Sequence, residues 1–395
     1  VAAYDAPPIL SFIIQNGKGF YKMFFWKGEI CKSLFEMAPE GFQRREDCGM
    51  LRTETENDDL WFAAERPRLQ VRGEQNMKIV VIGACGHIGS YLVPRLVREG
   101  HEVVAVSRGK SRPYVEDPAW EQVEPAYMDR AKDEDFAGNI AAMKPDVVVD
   151  LINFDLEDTK AMVQALGETN LSQYLFCSSI WAHGRAEFLP ADPGAAKEPL
   201  DDYGIQKWKS ECYLKEQYRE HGFPATVIMP GQISGPGWTI INPMGNTDVG
   251  VFQKIADGEE ICLPNFGMET LHHVHADDVA QVFDLAIRHR DQALGESFHA
   301  VAEKAMTLYG YALAMYRYFG REPKIRFLSW EKWCQYVGDE ALTEHTYYHI
   351  ARSGQYSIEN GKRLLGYQPG FTTLETVIAA VESYLERGLI RIQGK

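Results

Sequence analysis

Between residues 77 and 108 the spacing of the hydrophobic positions changes twice. Residues 79–82 are consecutive apolar, β-branched residues, which is the pattern of a strand buried on both faces of a parallel sheet. From residue 88 to residue 97 apolar side chains recur at helical spacing, which predicts a helix with one face against that sheet. Residues 103–106 form a second apolar run. The pattern therefore predicts strand, turn, helix and strand, the repeating unit of an α/β fold.

The same alternation continues along the chain. Strands are predicted at residues 122–128, 146–151, 174–177 and 225–229, and helices at residues 132–143, 156–166 and 202–220. Strands that alternate with helices pair in parallel, with helices on both faces of the sheet. The predicted fold class is α/β, a doubly wound, mainly parallel sheet of Rossmann type.

After residue 230 the glycine and proline content rises and the elements become shorter and more mixed. Helices are predicted at residues 277–289, 307–319 and 374–387. We expect this part to form a smaller lobe that covers the carboxyl edge of the sheet. The predicted domains are residues 77–230, which bind a dinucleotide, and residues 231–395, which bind substrate and return some elements to the core.

Residues 1–76 differ from the rest of the chain. Apolar and aromatic patches at residues 9–14 and 21–26 lie among charge clusters without a sustained period of 2 or 3.6, and no motif occurs there. One interpretation is an N-terminal extension that packs on the main domain or is partly disordered. The other, which we favour, is that Met77 is the natural start and that the preceding residues are upstream or cloning-derived sequence.

Three glycines, Gly83, Gly86 and Gly89, occupy the turn between the first strand and the first helix. A helix N-terminus has unpaired N–H groups and a partial positive charge, so it attracts a pyrophosphate. Glycine permits a close approach of the phosphate and a tight reversal of the chain, because it has no Cβ. In this context the glycines predict dinucleotide binding; the alternative is a turn in which glycine serves packing alone.

Composition limits the classes of function. The formal net charge of −15 argues against a protein that chiefly binds nucleic acid phosphates or an anionic membrane. Seven cysteines without a C-x-x-C pair predict neither a disulfide framework nor a thiolate zinc site, and free thiols favour a reducing compartment. No apolar run is long enough to span a bilayer and no signal peptide is evident. We therefore expect a cytoplasmic protein.

Ser179, Tyr203 and Lys207 are the candidate catalytic residues. Tyr203 and Lys207 are four positions apart in a predicted helix, so their side chains share one face. A neighbouring ammonium lowers the pKa of a phenol, which would let Tyr203 exchange a proton with a substrate oxygen. Ser179, at a strand end, would hydrogen-bond the same oxygen. The Tyr–Lys spacing is common by chance, and the alternative is a surface helix whose lysine extends beside a half-buried tyrosine.

The motifs GACGHIG, CSSIWAHG, YGIQK followed by Glu211, MPGQISGPG and HHVHADDVA resemble those of the extended short-chain dehydrogenases/reductases, of the NAD(P)-dependent epimerase/dehydratase type. The resemblance covers residues 77 to about 389. It implies that Ser179, Tyr203 and Lys207 form the catalytic triad. It also implies a set of cofactor-binding residues, with Asp129 at the adenine, Lys207 at the ribose and Pro230 beside the nicotinamide. The expected set is Gly83, Gly86, His87, Ile88, Gly89, Ser107, Arg108, Asp129, Leu151, Lys207 and Pro230.

This chain departs from the family pattern at positions that concern the substrate. Ala182-His183-Gly184 stands where the family usually has Val-Tyr-Gly. Met229 and Gln232 stand where an Arg and often an Asn usually meet a nucleotide-sugar. The expected activity is nevertheless hydride transfer on a sugar, a sugar nucleotide or a similar hydroxyl or carbonyl substrate, performed by a homodimer. The rival hypothesis is a non-catalytic NAD(P)-sensing or RNA-associated protein on the same fold, although such relatives typically lose the Tyr or the Lys and an RNA-binding one needs a basic face.

The end of the second strand bears on the choice between NAD and NADP. An NAD-selective site usually ends this strand with an acid that bonds the ribose 2′-OH, but here Ser107 is followed by Arg108, Lys110 and Arg112. A guanidinium binds a 2′-phosphate with charge-assisted hydrogen bonds, so NADP is favoured. The alternative is an arginine that merely covers the adenine face.

His272, His273 and His275 precede two aspartates, and such a cluster of His and Asp residues also occurs in metal sites. The resemblance implies instead that this stretch leads into a helix capped by an Asp. We therefore predict no metal.

Overall fold

The structure is a computed structural model that describes residues 76–392 and, before them, the backbone of five short strands. The chain divides into two units, Val1–Arg68 and Leu69–Lys395. In the first unit β1 (Ser11–Asn16), β2 (Gly19–Trp26) and β3 (Glu29–Cys31) form an antiparallel sheet, and β4 (Met37–Ala38) pairs with β5 (Gly41–Phe42). Apart from the backbone of these strands, both interpretations offered for residues 1–76 concern residues that lie outside those that the structure describes.

The second unit is built on a seven-stranded parallel sheet. Its strands are β6 (Lys78–Ile82), β7 (Glu102–Ser107), β8 (Glu124–Tyr127), β9 (Val147–Asp150), β10 (Gln173–Cys177), β11 (Ala225–Pro230) and β16 (Ser297–Ala300). The order across the sheet is β16-β11-β10-β9-β6-β7-β8. The predicted fold class, a doubly wound α/β sheet, is confirmed.

Two helical layers cover this sheet because alternate strand residues face opposite sides. Ile79 and Val81 of β6 belong to one core, with α1 (His87–Arg98) and α6 (Ala276–Arg288). Val80 and Ile82 belong to the other core. The helices of that second layer are α2 (Phe136–Ala142), α3 (Leu156–Gly167) and α4 (Asp202–His221).

Helix α2 is shorter than the sequence pattern predicts. It begins at Phe136 rather than near residue 132, because the Asp135 side chain accepts a hydrogen bond from Gly138 N at 3.1 Å and caps it there. Asp129 to Asp133 form a separate turn, in which the amides of Lys132 and Asp133 donate to the Asp129 carbonyl.

A third hydrophobic core lies in the chain after β11. Trp333 is fully buried in it and donates its indole N–H to the Cys262 carbonyl at 2.9 Å. Its helices are α5 (Gly250–Asp257), α8 (Leu308–Tyr318), α9 (Trp330–Val337), α10 (Glu340–Ile350) and α12 (Thr373–Glu386), and its strands are β13 (Ile261–Pro264) and β18 (Ile325–Leu328). The remaining elements are β12 (Gln232–Ser234), β14 (Thr270–Leu271), β15 (His273–His275), α7 (Arg290–Ala293), β17 (Met306–Thr307) and α11 (Glu359–Leu365).

None of the helices in residues 76–392 combines the length and the apolar character that a membrane crossing requires.

Two carboxyl groups meet where α1 contacts α6, which predicts a stability that depends on pH. Burial, a hydrogen bond with Glu99 and the charge of Glu99 together raise the pKa of Asp284 to about 7, and the charge of Arg288 opposes them. The folded-state pKa lies above the unfolded value of about 4, so the folded state loses stability as pH rises from about 4 to about 7. We expect Asp284→Asn to increase the free energy of unfolding by about 2 kcal/mol more at pH 8 than at pH 5.

Denaturant unfolding at both pH values measures this difference. Asp291→Asn is the matched control, because the Asp291 side chain is 76% exposed. An equal effect of Asp284→Asn at pH 5 and pH 8 would contradict the prediction.

Candidate active site

The order in which the chain adds strands to the sheet reverses between β6 and β9: β7 and β8 lie on one side of β6, and β9 lies on the other. Strands β6 and β9 are neighbours in the sheet, but β7 and β8 separate them along the chain, which is the topology in which the loops at the carboxyl ends diverge and form a crevice. In open α/β sheets ligands bind in such crevices. The glycine turn follows β6, and the candidate catalytic residues Ser179, Tyr203 and Lys207 all follow the end of β10, so the predicted site residues converge on this edge.

The glycine turn fits a pyrophosphate. Gly83 has a φ of +86°, and a Cβ there would lie 2.8 Å from Ile152 Cγ2. A Cβ on Gly89 would overlap the Ala84 carbonyl oxygen, so only glycine lets α1 approach the preceding turn. Within residues 76–392 no side chain caps α1 at Gly86, and the first turn of α1 contains no acid. The helix N-terminus is therefore free to bind an anion.

His87 and Ile88, the first residues of α1, are buried. The His87 ring stacks on Trp238, with centroids 4.9 Å apart and an interplanar angle of 8°. Burial, reinforced by the charge of His275, lowers the pKa of His87 to about 4. The neutral His87 side chain thus supports the turn by packing. The backbone of His87 forms the first residue of the helix.

The end of β7 carries the residues predicted to choose between NAD and NADP. Ser107 Oγ accepts a hydrogen bond from Gly109 N at 3.2 Å, which shapes the following turn. Arg108, Lys110 and Arg112 are exposed, and none forms an ion pair with another residue in the described range 76–392. No acid stands at this strand end to repel a 2′-phosphate.

Three other predicted cofactor residues lie at strand ends. Asp129 follows β8, and its carboxylate accepts from Ala131 N at 3.3 Å. Leu151 follows β9 and donates its N–H to the Ile82 carbonyl at 3.0 Å. Pro230 is the buried last residue of β11. All three border the carboxyl edge of the sheet.

The structure brings Ser179, Tyr203 and Lys207 together. Tyr203 and Lys207 lie in the first turns of α4, with Lys207 Nζ 5.6 Å from the centroid of the Tyr203 ring. Lys207 is 1% exposed, and its ammonium donates to the carbonyls of Asn153 at 2.5 Å and Cys177 at 2.6 Å. Ser179 begins a short 3-10 turn, where its hydroxyl accepts from Trp181 N at 3.2 Å.

The surroundings of Tyr203 and Lys207 disfavour charge. Desolvation raises the pKa of Tyr203, the charges of Cys177 and Asp201 add to this, and a hydrogen bond with Ser179 opposes it. Desolvation also lowers the pKa of Lys207, against the effects of Cys177, Asp150 and Glu211. The Tyr203 side chain remains 38% exposed, so a substrate in the crevice can reach it.

The sequence pattern did not identify four neighbours of Tyr203. Phe154 and Trp181 flank its ring, with centroids 6.3 and 5.7 Å away. Asp201 caps α4 by accepting from Gly204 N at 2.7 Å. Arg352 bonds Asp201 and lies over Trp181. An N-cap acid before a helix is a recognisable local signal for Asp201, but no local signal marks Arg352.

A buried polar network lies beneath Lys207. Asp150 is fully buried at the end of β9, where it accepts from Arg130 at 2.7 Å and from the Tyr174 hydroxyl at 2.8 Å. Asn153 donates to the same carboxylate at 3.2 Å. Because the Asn153 carbonyl accepts from Lys207, this network fixes one acceptor of the ammonium. An acid that ends an otherwise apolar strand, as in DVVVDL, is the sequence signal that could have indicated it.

Glu211, one helical turn after Lys207, accepts from the Ser178 hydroxyl and from the Lys197 ammonium. Both side chains of the Lys197–Glu211 pair are almost fully buried. The hydrogen bond between Glu211 and Ser178 ties α4 to the residue next to Ser179, so it holds the two parts of the candidate catalytic group in register.

The residues that depart from the family pattern bond within the protein. His183 Nε2 lies 2.8 Å from His299 Nε2 in a buried pair. The Gln232 side chain accepts from His272 N at 2.8 Å, and Met229 is fully buried with its sulfur 3.4 Å from Lys197 Nζ. These three side chains therefore have partners in the fold, whereas an Arg and an Asn there would be donors for a nucleotide-sugar.

The histidines of residues 272–275 also have internal partners. His272 Nε2 lies 2.7 Å from the Ala302 carbonyl oxygen, and His273 Nδ1 lies 2.8 Å from Ser234 Oγ. His275 caps α6 by accepting from Asp277 N, so the expectation of an Asp cap is wrong. The imidazole takes this place because its Nδ1 reaches the N2 amide of the helix. Within the described residues no group of three or more His, Cys, Asp or Glu is placed to hold a metal.

The family model described as "NAD dependent epimerase/dehydratase family" matches residues 79–300. Among curated proteins, the chain is 28% identical over 334 residues to "Chloroplast stem-loop binding protein of 41 kDa b, chloroplastic" of Arabidopsis thaliana, covering 82% of the chain and 83% of that protein. It is 26% identical over 205 residues to 2'-dehydrokanamycin reductase of Streptomyces kanamyceticus, covering 52% of the chain and 56% of the reductase.

Solved structures share the fold. UDP-glucuronic acid 4-epimerase from Bacillus cereus, in complex with UDP-glucuronic acid and NAD, superposes with a TM-score of 0.59 at 15% sequence identity, covering 79% of this chain and all of the epimerase chain (100%).

Proposed function

Because the chain belongs to the NAD dependent epimerase/dehydratase family, we propose that it is an NAD(P)-dependent oxidoreductase in which Tyr203 exchanges a proton with a substrate hydroxyl or carbonyl oxygen. The observation that carries the proposal is the position of Lys207. Its buried ammonium lies 5.6 Å from the Tyr203 ring centroid, is held by two carbonyls, and stands at the sheet edge that also carries the glycine turn.

The chain's own residues would divide the chemistry as follows. A bound nicotinamide would supply hydride transfer to or from the substrate carbon. Lys207 places a fixed positive charge beside Tyr203, which lowers the cost of the phenolate that forms when the tyrosine gives up its proton. Ser179, at the end of β10, would orient the substrate oxygen toward that phenol.

A sugar, a sugar nucleotide or a similar polyhydroxylated compound is the proposed substrate class. In support, relatives are named as a UDP-glucose 4-epimerase and as 2'-dehydrokanamycin reductase. The exposed aromatic Phe154 and the partly exposed Trp181 flank Tyr203, and aromatic rings suit the apolar faces of sugar rings. Within this class, the burial of Met229 favours a substrate without a nucleoside diphosphate, because a buried thioether cannot donate a hydrogen bond to a phosphate.

A substrate panel tests the proposal. The full chain is incubated with UDP-glucose and NAD, and separately with 2′-dehydrokanamycin and NADPH, and products are separated by chromatography. Turnover that Tyr203→Phe abolishes supports the proposed function. A cofactor-loaded protein that turns over none of a broad set of sugar ketones and alcohols would argue against it.

NADP is the proposed preferred cofactor, and Arg108 should determine the preference. We expect Arg108→Ala to weaken NADP binding by about tenfold and to leave NAD binding unchanged, because only the 2′-phosphate gains charge-assisted hydrogen bonds from a guanidinium. Titration of both cofactors by calorimetry measures this. Arg219→Ala, which removes an exposed arginine at the far end of α4, is the control. Equal affinities of the wild type for the two cofactors, unaltered in Arg108→Ala, would contradict it.

RNA association is the alternative, because one relative is named as a stem-loop binding protein. The net charge of −15 and the retained Ser179, Tyr203 and Lys207 favour the enzyme. Fluorescence anisotropy with a labelled RNA hairpin decides between them: a Kd tighter than about 1 μM at physiological salt would support RNA association.

We further propose that the protein is a cytoplasmic homodimer. Light scattering after gel filtration would measure the mass of the assembly.

A further inference from the structure

Arg352 reaches from the loop after α10 to the start of the helix that carries Tyr203. Its Nη1 lies 3.2 Å from Asp201 Oδ2, and its side chain is 3% exposed. The other oxygen of the same carboxylate accepts from Gly204 N at 2.7 Å and caps α4. One carboxylate thus holds both the first turn of α4 and the guanidinium.

Arg352 also supports the aromatic neighbour of Tyr203. Its guanidinium carbon lies 3.2 Å from the centroid of the Trp181 ring. Trp181 in turn meets Tyr203 at an interplanar angle of 81°, with centroids 5.7 Å apart. Arg352 therefore contacts the two groups that position Tyr203, namely the cap of its helix and the ring beside it.

Burying the Arg352 guanidinium in this position costs desolvation free energy. Burial lowers the pKa of Arg352 to about 10, so the group stays charged at neutral pH. Its only carboxylate among the described residues is Asp201, and its Nη2 has no hydrogen-bond partner there. A buried cation that is incompletely paired destabilises a fold, so its presence points to a role other than stability. The side chain is too deeply buried to bind substrate itself.

We propose that Arg352 is a positioning residue for the Tyr203 phenol: it fixes the ring through Asp201 and Trp181, and its positive charge favours the ionised phenol. This inference rests on the proposed role of Tyr203 in proton transfer. It extends that proposal, because it makes the competence of Tyr203 depend on a residue of the C-terminal part of the chain as well as on Lys207.

The groups that face Tyr203 give the direction of the effect. Cys177 and Asp201 disfavour its phenolate, whereas Ser179 and Arg352 favour it. The Lys207 ammonium adds positive charge from within α4. Without Arg352 the Asp201 charge is unbalanced, so ionisation of Tyr203 becomes harder. Without the Asp201 charge it becomes easier.

A site-specific probe tests this without any substrate. A fluorinated tyrosine, whose phenol is more acidic, replaces Tyr203 in the full chain, and its titration is followed by fluorine NMR with and without NADP. We expect Arg352→Gln to raise the titration midpoint by at least about one pH unit. Asp201→Asn, which still caps the helix, should lower it, and Arg352→Lys should lie between Arg352→Gln and the wild type.

Arg321→Gln is the control, because Arg321 is a partly buried arginine far from Tyr203 in sequence that donates to a backbone carbonyl, that of Ala256. A folded Arg352→Gln variant with the wild-type midpoint, or an equal shift in Arg321→Gln, would overturn the proposal and leave Arg352 as a structural link. If Arg352→Gln does not fold, Arg352→Lys and Asp201→Asn decide. Full activity of Tyr203→Phe would refute the proposed function instead, and it would leave the titration result intact.

Discussion

Replacing Tyr203 with phenylalanine is expected to lower the turnover number by at least ~10²-fold, the usual scale for a positioned acid–base. The substitution removes one oxygen from a side chain that is 38% exposed, so it creates no cavity in the core. The fold and the cofactor affinity should therefore hardly change. The measurement is kcat on whichever compound of the substrate panel is turned over, with circular dichroism and cofactor titration on the same sample.

Tyr213→Phe is the matched control, since Tyr213 is a partly buried tyrosine of the same helix. It should retain the wild-type rate. A folded, cofactor-loaded Tyr203→Phe variant that turns over substrate at near the wild-type rate would show that Tyr203 is a packing residue. The chain would then be a different kind of enzyme or the non-catalytic alternative.

Lys207→Met should cause two separable defects. The rate should fall by at least ~10²-fold, because the phenolate loses the cation that stabilises it. Cofactor binding should also weaken, since the ammonium is expected to contact the nicotinamide ribose. In addition, the carbonyls of Asn153 and Cys177 lose their donor. Unpaired buried acceptors cost about 1–3 kcal/mol each, so the free energy of unfolding should drop as well.

The control for this variant is Lys215→Met, two turns further along α4. Burial lowers the pKa of Lys215 too, but its ammonium makes no hydrogen bond to a backbone carbonyl in the described residues. Stability, cofactor affinity and kcat are measured on both variants. Loss of stability in Lys207→Met with unchanged kcat and cofactor affinity would assign Lys207 a structural role alone.

The elements near the glycine turn could be predicted because their signals are local. The apolar run of β6 and the helical spacing of α1 follow from the repeat of the backbone, which sets which side chains share a face. The φ of +86° at Gly83 and the close approach at Gly89 explain why glycine stands there. The shared face of Tyr203 and Lys207 is likewise a property of one helix, α4.

Other features arise only when distant segments meet. Arg352 and Asp201 are 151 positions apart, and nothing in the sequence near either one indicates the pair. The His183–His299 pair spans 116 positions and joins the turn after β10 to β16. Such contacts depend on the topology of the sheet, which determines the strand ends that lie side by side.

By itself, the sequence determined the α/β fold class, the glycine turn and the face that carries Tyr203 and Lys207, because each depends on the periodicity of a single element or on the conformational freedom of glycine. Only the tertiary structure decided what surrounds that face. The buried Asp150 network, the ring of Trp181 and the guanidinium of Arg352 come from separate strands and loops. Their effect on Tyr203 and Lys207 comes from desolvation and from charges a few ångströms away, and both exist only once the chain has folded.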